Sequence, residues 1–155
     1  MSDAMLDLYQ ELILEHKRAP RNFGTLAAPT HEARGYNPQC GDDIDVQLRV
    51  ERGRVADIRF KGHGCAICLA SASMMTEAVR GAELDAVASL HERFRGVLTG
   101  QLDVDDAGLG KLASLAPVRR YPARIKCALL GWHALMHAIT GQDGAASTET
   151  SHSGV

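Results

Sequence analysis

Apolar and polar side chains alternate twice between Asp43 and Lys61. Ile44, Val46, Leu48 and Val50 interleave with Asp43, Asp45, Gln47 and Arg49. After the turn at Glu51-Arg52-Gly53-Arg54, Ala56, Ile58 and Phe60 interleave with Asp57, Arg59 and Lys61. A period of two sends each residue type to its own face, so the pattern requires an antiparallel hairpin with one wet face and one covered face. The hairpin also fixes what lies beside its open end. Asp42 stands just before the first strand and Gly62-His63-Gly64-Cys65 just after the second, so Cys40, Asp42 and Cys65 become neighbours by topology.

The covering layer reads as helices. Met5, Leu8, Tyr9, Leu12 and Ile13 mark an amphipathic helix over 4–17, with Asp3 as N-cap, the basic residues His16, Lys17 and Arg18 at its end, and Pro20 as its stop. A loop over 21–29 and a short edge strand over 31–37 follow. Residues 66–80 form a helix stopped by Gly81, and its small residues Ala66, Ala70, Ser71, Ala72 and Ser73 let another backbone come close. Leu84, Val87, Leu90, Phe94 and Leu98 mark a helix over 83–98. An acidic loop over 100–110 and a short helix over 112–117 come next. A long helix over 123–140 buries Ile125, Leu129, Trp132, Leu135 and Met136 and ends at Gly141. The Ser/Thr/Gly-rich stretch 142–155 is expected to be a flexible tail. One domain over residues 1–141, with no internal repeat, is expected.

Composition excludes several roles. A net charge of −2 offers no electrostatic footprint for nucleic acid or an anionic membrane, and 5% aromatic content supplies no base-stacking platform. No apolar run reaches the length of a membrane span, and the N-terminus has no signal-peptide pattern, so a cytoplasmic protein is expected. Thiols stay reduced there, and four cysteines point to metal or sulfur chemistry, not to disulfides.

Three of the cysteines sit at Gly- or Pro-punctuated junctions. Cys40 and Asp42 are two apart, so in extended chain they face one point, and Gly41 between them lets the backbone bend. Cys65 opens one helix, where the positive helix end favours a thiolate, and Cys127 lies near the start of another. Spacings of 25 and 62 residues match no short zinc-finger pattern, and a lone cysteine is most often a small apolar filler. The junction settings favour a four-ligand zinc site of three thiolates and one carboxylate.

Cys40-Gly41-Asp42, Gly62-His63-Gly64-Cys65-Ala66-Ile67, Ala70-Ser71-Ala72-Ser73-Met74-Met75 and Tyr121-Pro122-Ala123-Arg124-Ile125-Lys126-Cys127-Ala128, in that order, resemble the iron–sulfur assembly family of IscU, SufU and the NifU N-terminal domain. The resemblance runs over about residues 5–139. It implies the α+β class and a SufE/IscU-like fold, a three-stranded antiparallel sheet with helices on one face. It also implies that Cys40, Asp42, Cys65 and Cys127 are metal ligands. Lys126 stands where IscU scaffolds carry histidine, and only Pro122-Ala123-Arg124 is similar to part of their chaperone-docking motif. The stretch between Cys65 and Cys127 is longer than in IscU and is similar to that of the SufU type. That type implies a tightly held zinc and sulfur relayed from a PLP-dependent cysteine desulfurase of the SufS kind, then passed to a SufBCD-type scaffold.

Within that reading Cys40 is the expected persulfide acceptor, a role the resemblance also supports. Cys65 and Cys127 lie at helix starts that fix their geometry, whereas Cys40 sits on a loop from which it can swing out. Four anionic ligands around one dication leave a formal charge of −2, which Arg124, on the same helical face as Cys127, and Lys126 offset. Two rival readings share these residues: a scaffold that builds a [2Fe–2S] cluster or holds iron, and a structural zinc module that docks partners. Cys68 makes a Cys-x-x-Cys pair with Cys65, which suggests a redox couple, but a buried filler in place of the family's small polar residue is the expectation. His63, between glycines, is expected to be exposed. His133 and His137 have metal-binding spacing, but with no third ligand nearby they read as surface or satisfied core residues.

Overall fold

The computed structural model describes residues 3–141 and the backbone of 146 and 147. The rest of the expected tail, 142–145 and 148–155, lies outside the described residues. Strands β1 (His31–Asn37), β2 (Asp42–Glu51) and β3 (Arg54–His63) form the antiparallel part of the sheet. The β2–β3 hairpin closes through Arg52 and Gly53, at φ of 54° and 74°. Positive φ at both central residues matches the twist of the flanking strands, as in a type I′ turn. The sheet order is β3-β2-β1-β4, where β4 (Ala146–Ser147) runs parallel to Gly35 and Tyr36 of β1. The outer edge of β1, expected to be free, is therefore paired over two residues.

Ile44, Val46, Leu48, Ile58 and Phe60 are fully buried on one face. The alternation expected for β3 is broken once. A register shift at Arg49/Val50 pairs Val50 with Val55, so Val55 enters the core and Ala56 is only half-buried. Such a bulge re-aims the side chains on its strand.

Four α-helices complete the fold: α1 (Asp3–Arg18), α2 (Ala66–Val79), α3 (Leu84–Leu98) and α4 (Pro122–Thr140). α4 packs on β1 and β2, α2 packs on α4 and β3, and α1 covers α2. Small residues allow this close layering, as expected from the sequence. A Cβ on Gly131 of α4 would lie 3.2 Å from the Cβ of Ala72, and one on Gly35 of β1 would lie 3.0 Å from the carbonyl oxygen of Leu130.

Three local readings change. Helix α1 already includes Asp3, and Leu8 is 46% exposed while Tyr9 and Ile13 take the core. His16 is buried instead of serving as an exposed charge. The Ser73 hydroxyl accepts the Arg21 N–H at 2.8 Å and is hydrogen-bonded to His16 Nδ1 at 2.7 Å, fastening α1 to α2. The short helix expected over 112–117 is a longer 3-10 segment, Gly110–Arg120. Pro117 inside it has no N–H and cannot support an α-helical ladder.

Candidate metal centre

The open end of the hairpin is built as its topology requires. β1 ends at Asn37, the chain turns through Gly41 at φ 70°, and β2 begins with Asp42. Alternation in β2 points Asp42 inward with Ile44, and its side chain is fully buried. Across the hairpin end, the Cys65 backbone N–H donates to Asp42 Oδ1 at 2.8 Å. Gly64 makes this contact possible, because a Cβ there would lie 2.6 Å from Asp42 Oδ1. Cys65 is the N-cap of α2, and its sulfur accepts the Cys68 N–H at 3.4 Å.

Cys127 lies in the second turn of α4, deeper than the helix start expected for it, and is buried. Its sulfur lies 3.4 Å from that of Cys40, and the side-chain amide of Asn37 reaches it at 4.0 Å. Donor atoms of Cys40, Asp42 and Cys127 all lie within 4.8 Å of one another. This is the one such group of three or more among the described residues. Cys65, the fourth ligand expected from the sequence, falls outside that group, although the Cys65 and Cys127 thiols influence each other's ionisation.

The electrostatics suit a cation. The neighbouring Cys127, with help from the N–H groups of Cys68 and Ile67, lowers the Cys65 pKa to about 6 against burial and the nearby Asp42. Cys127 is pushed the other way, first by its pairing with Cys65 and then by burial. The exposed Arg124 guanidinium lies near Cys127, Cys65 and Cys40, whose negative charge raises its own pKa. Asp42 Oδ2 is buried and has no hydrogen-bond partner among the described residues. A buried carboxylate oxygen left unpaired is costly, and a coordinated cation removes that cost. Thiolates with one carboxylate fit zinc, and thiolates also suit iron.

The remaining sequence candidates lie apart from this chemistry. Cys68 is fully buried and burial raises its pKa, the profile of a filler thiol. His63 is exposed. His133 is neither a surface nor a satisfied residue: it is 4% exposed, and both ring nitrogens lack partners. Its ring meets His91 of α3 edge-on at 5.7 Å, and His91 stacks on Trp132 at 6.3 Å. A histidine on a helical pattern gives no sign of its neighbours on other elements, so the sequence does not mark His91. Asn37, next to Pro38, alternates with Gly35 and so stands on the inner face of β1.

The family described as NifU-like N-terminal domains matches residues 8–143. A zinc-dependent sulfurtransferase SufU from Bacillus subtilis (strain 168) is 38% identical, over 92% of this chain and 97% of the relative. An iron–sulfur cluster assembly scaffold protein IscU from Streptococcus pyogenes serotype M1 is 36% identical, over 85% of this chain and 82% of the relative. Among solved structures, a nitrogen-fixing NifU-like protein (N-terminal) from Brucella abortus superposes with a TM-score of 0.79 at 28% identity, over 88% of this chain and 95% of that one.

Proposed function

Because the chain belongs to the family of NifU-like N-terminal domains, we propose that it is a zinc-dependent sulfur carrier in iron–sulfur cluster assembly. It accepts persulfide sulfur from a PLP-dependent cysteine desulfurase of the SufS type and hands it to a SufBCD-type scaffold in a reducing cytoplasm. The carrying observation is the convergence of donor atoms of Cys40, Asp42 and Cys127, with Asp42 Oδ2 buried and without a hydrogen-bond partner among the described residues.

Cys40, Asp42, Cys65 and Cys127 are the residues that would hold the metal. Zinc, when bound, supplies a redox-inert Lewis acid that keeps sulfur ionised without oxidising it. Asp42 is held by the Cys65 N–H through one oxygen and offers the other. Cys65 and Cys127 stand on α2 and α4, while Cys40 stands on the connection between β1 and β2 and moves at the least cost to the fold. The Cys40 thiolate attacks the outer sulfur of the desulfurase persulfide. A new S–S bond forms at Cys40, the donor S–S bond breaks, and the desulfurase cysteine leaves as a thiolate. No electrons enter or leave. Arg124 faces the thiols and offsets the negative charge of the ligand set.

The same ligands would suit a [2Fe–2S] scaffold, the role named for the Streptococcus pyogenes relative. Elemental analysis after anaerobic purification separates the two readings. About one zinc per chain supports the carrier; iron with acid-labile sulfide overturns it. Incubation with a cysteine desulfurase and cysteine, followed by peptide mass spectrometry, is expected to place the added sulfur on Cys40.

A further inference from the structure

We propose that Asn37 is a positioning residue for Cys127: its side-chain amide donates to the Cys127 sulfur, holds it among the ligands and quiets it as a nucleophile. The proposal rests on the reading above, in which Cys40 and not Cys127 takes the sulfur.

The two thiols lie 3.4 Å apart, and proximity alone gives an incoming persulfide little to choose between them. Their surroundings differ. Asn37 is 1% exposed, the last residue of β1, and presents Nδ2 to Cys127 Sγ at 4.0 Å. Cys40, three residues further along the chain, receives no amide donor among the described residues. Sulfur is large and its hydrogen bonds are long. With no water at the amide to compete, the N–H has this sulfur as its partner.

The other end of the amide supports this orientation. Asn37 Oδ1 is buried and has no partner. An amide can be turned to exchange its oxygen and nitrogen, and a buried one adopts the orientation that serves its stronger neighbour. Facing the Cys127 sulfur, the nitrogen donates and the oxygen would repel, so the sulfur selects the orientation observed and outweighs the idle oxygen. A hydrogen bond to a metal-bound thiolate draws electron density from sulfur. It therefore weakens attack by that sulfur and fixes its direction, as outer partners of metal ligands do. Asn37 thus divides the labour between neighbouring thiols: Cys127 stays and Cys40 moves.

The wild-type protein loaded with cadmium-113 offers a direct test. Scalar coupling across the hydrogen bond, from the Asn37 side-chain amide protons to cadmium, is expected. Its absence, while Cys127 β-protons do couple to the metal, overturns the proposal. Variants supply the second test. In the zinc-loaded protein treated with iodoacetamide, peptide mapping should show Cys40 modified well ahead of Cys127. Asn37→Asp keeps the shape and removes the donor, and Asn37→Ala removes both; each should raise the Cys127 rate relative to Cys40 by about tenfold. In cobalt-loaded protein, either change should move the sulfur-to-cobalt charge-transfer band to longer wavelength. If Asn37→Asp behaves as wild type and only Asn37→Ala is altered, Asn37 is a packing residue and the proposal fails. Neither test uses a desulfurase. A wild-type protein that takes up no sulfur would therefore sink the proposed function and leave these results unaffected.

Discussion

The backbone N–H of Cys65 donates to Asp42 Oδ1 at 2.8 Å, joining the first residue of β2 to the cap of α2. One residue proposed as a ligand thereby orients another. The contact depends on Gly64, where a Cβ would crowd Asp42 Oδ1 at 2.6 Å. Gly64→Ala should weaken zinc binding by about 10–100-fold, because the carboxylate must turn away from its donor. Competition with a chromophoric chelator measures this, and circular dichroism should show the helices retained. Unchanged affinity would mean that the Asp42 orientation is set elsewhere.

Position 40 and position 68 should respond in opposite ways. Cys40→Ala should abolish both sulfur labelling and stimulation of the desulfurase. Cys68→Ser should leave zinc content and labelling close to wild type, because Cys68 is fully buried and burial suppresses its thiolate. Loss of zinc from the Cys68→Ser protein would make that thiol part of the centre.

The buried histidines predict an acid-sensitive fold. Burial lowers the pKa of His133 to about 4 from an ordinary 6.5 and lowers those of His91 and His16 in the same direction. Their contribution to stability is complete above the unfolded value near 6.5. It falls as pH drops toward the folded value, because the unfolded chain takes up protons that the buried rings refuse. His133 alone should cost about 3 kcal/mol of stability between pH 6.5 and 4. Urea midpoints across that range should fall steeply for the wild type and less steeply for His133→Leu. Parallel curves for the two proteins would refute the assignment.

At the crossing of α2 and α4, Gly131 leaves 3.2 Å between its absent Cβ and the Cβ of Ala72. Gly131→Ser should overpack this contact and destabilise the fold by about 1–3 kcal/mol. Thermal melts would register it, and Ala72→Gly in the same chain should restore part of the loss.

The sequence revealed the hairpin and the meeting of its ends because a period of two is local and leaves each residue one face to occupy. Ile44, Val46 and Leu48 read directly as core, and Asp42 and Cys65 as neighbours. Other features needed partners that no local pattern contains. Val55 replaces Ala56 in the core because of a register shift between strands. His16 is buried because Ser73 waits on another helix, and His133 because α3 covers it with His91. The motif around Cys127 marks it as a candidate ligand, but its depth in α4 and its amide from Asn37 belong to the packing of α4 on β1.

Cys40 and Cys127 are 87 residues apart in the chain and 3.4 Å apart in space. An ion held by both acts as a reversible cross-link around most of the molecule. In an unfolded chain, closing a loop of that size costs on the order of 4 kcal/mol of entropy. Only a chain that has already placed β1 against α4 meets the ion without that cost. A partly folded chain therefore binds zinc weakly, a finished one binds it well, and occupancy of the centre becomes a record that folding is complete.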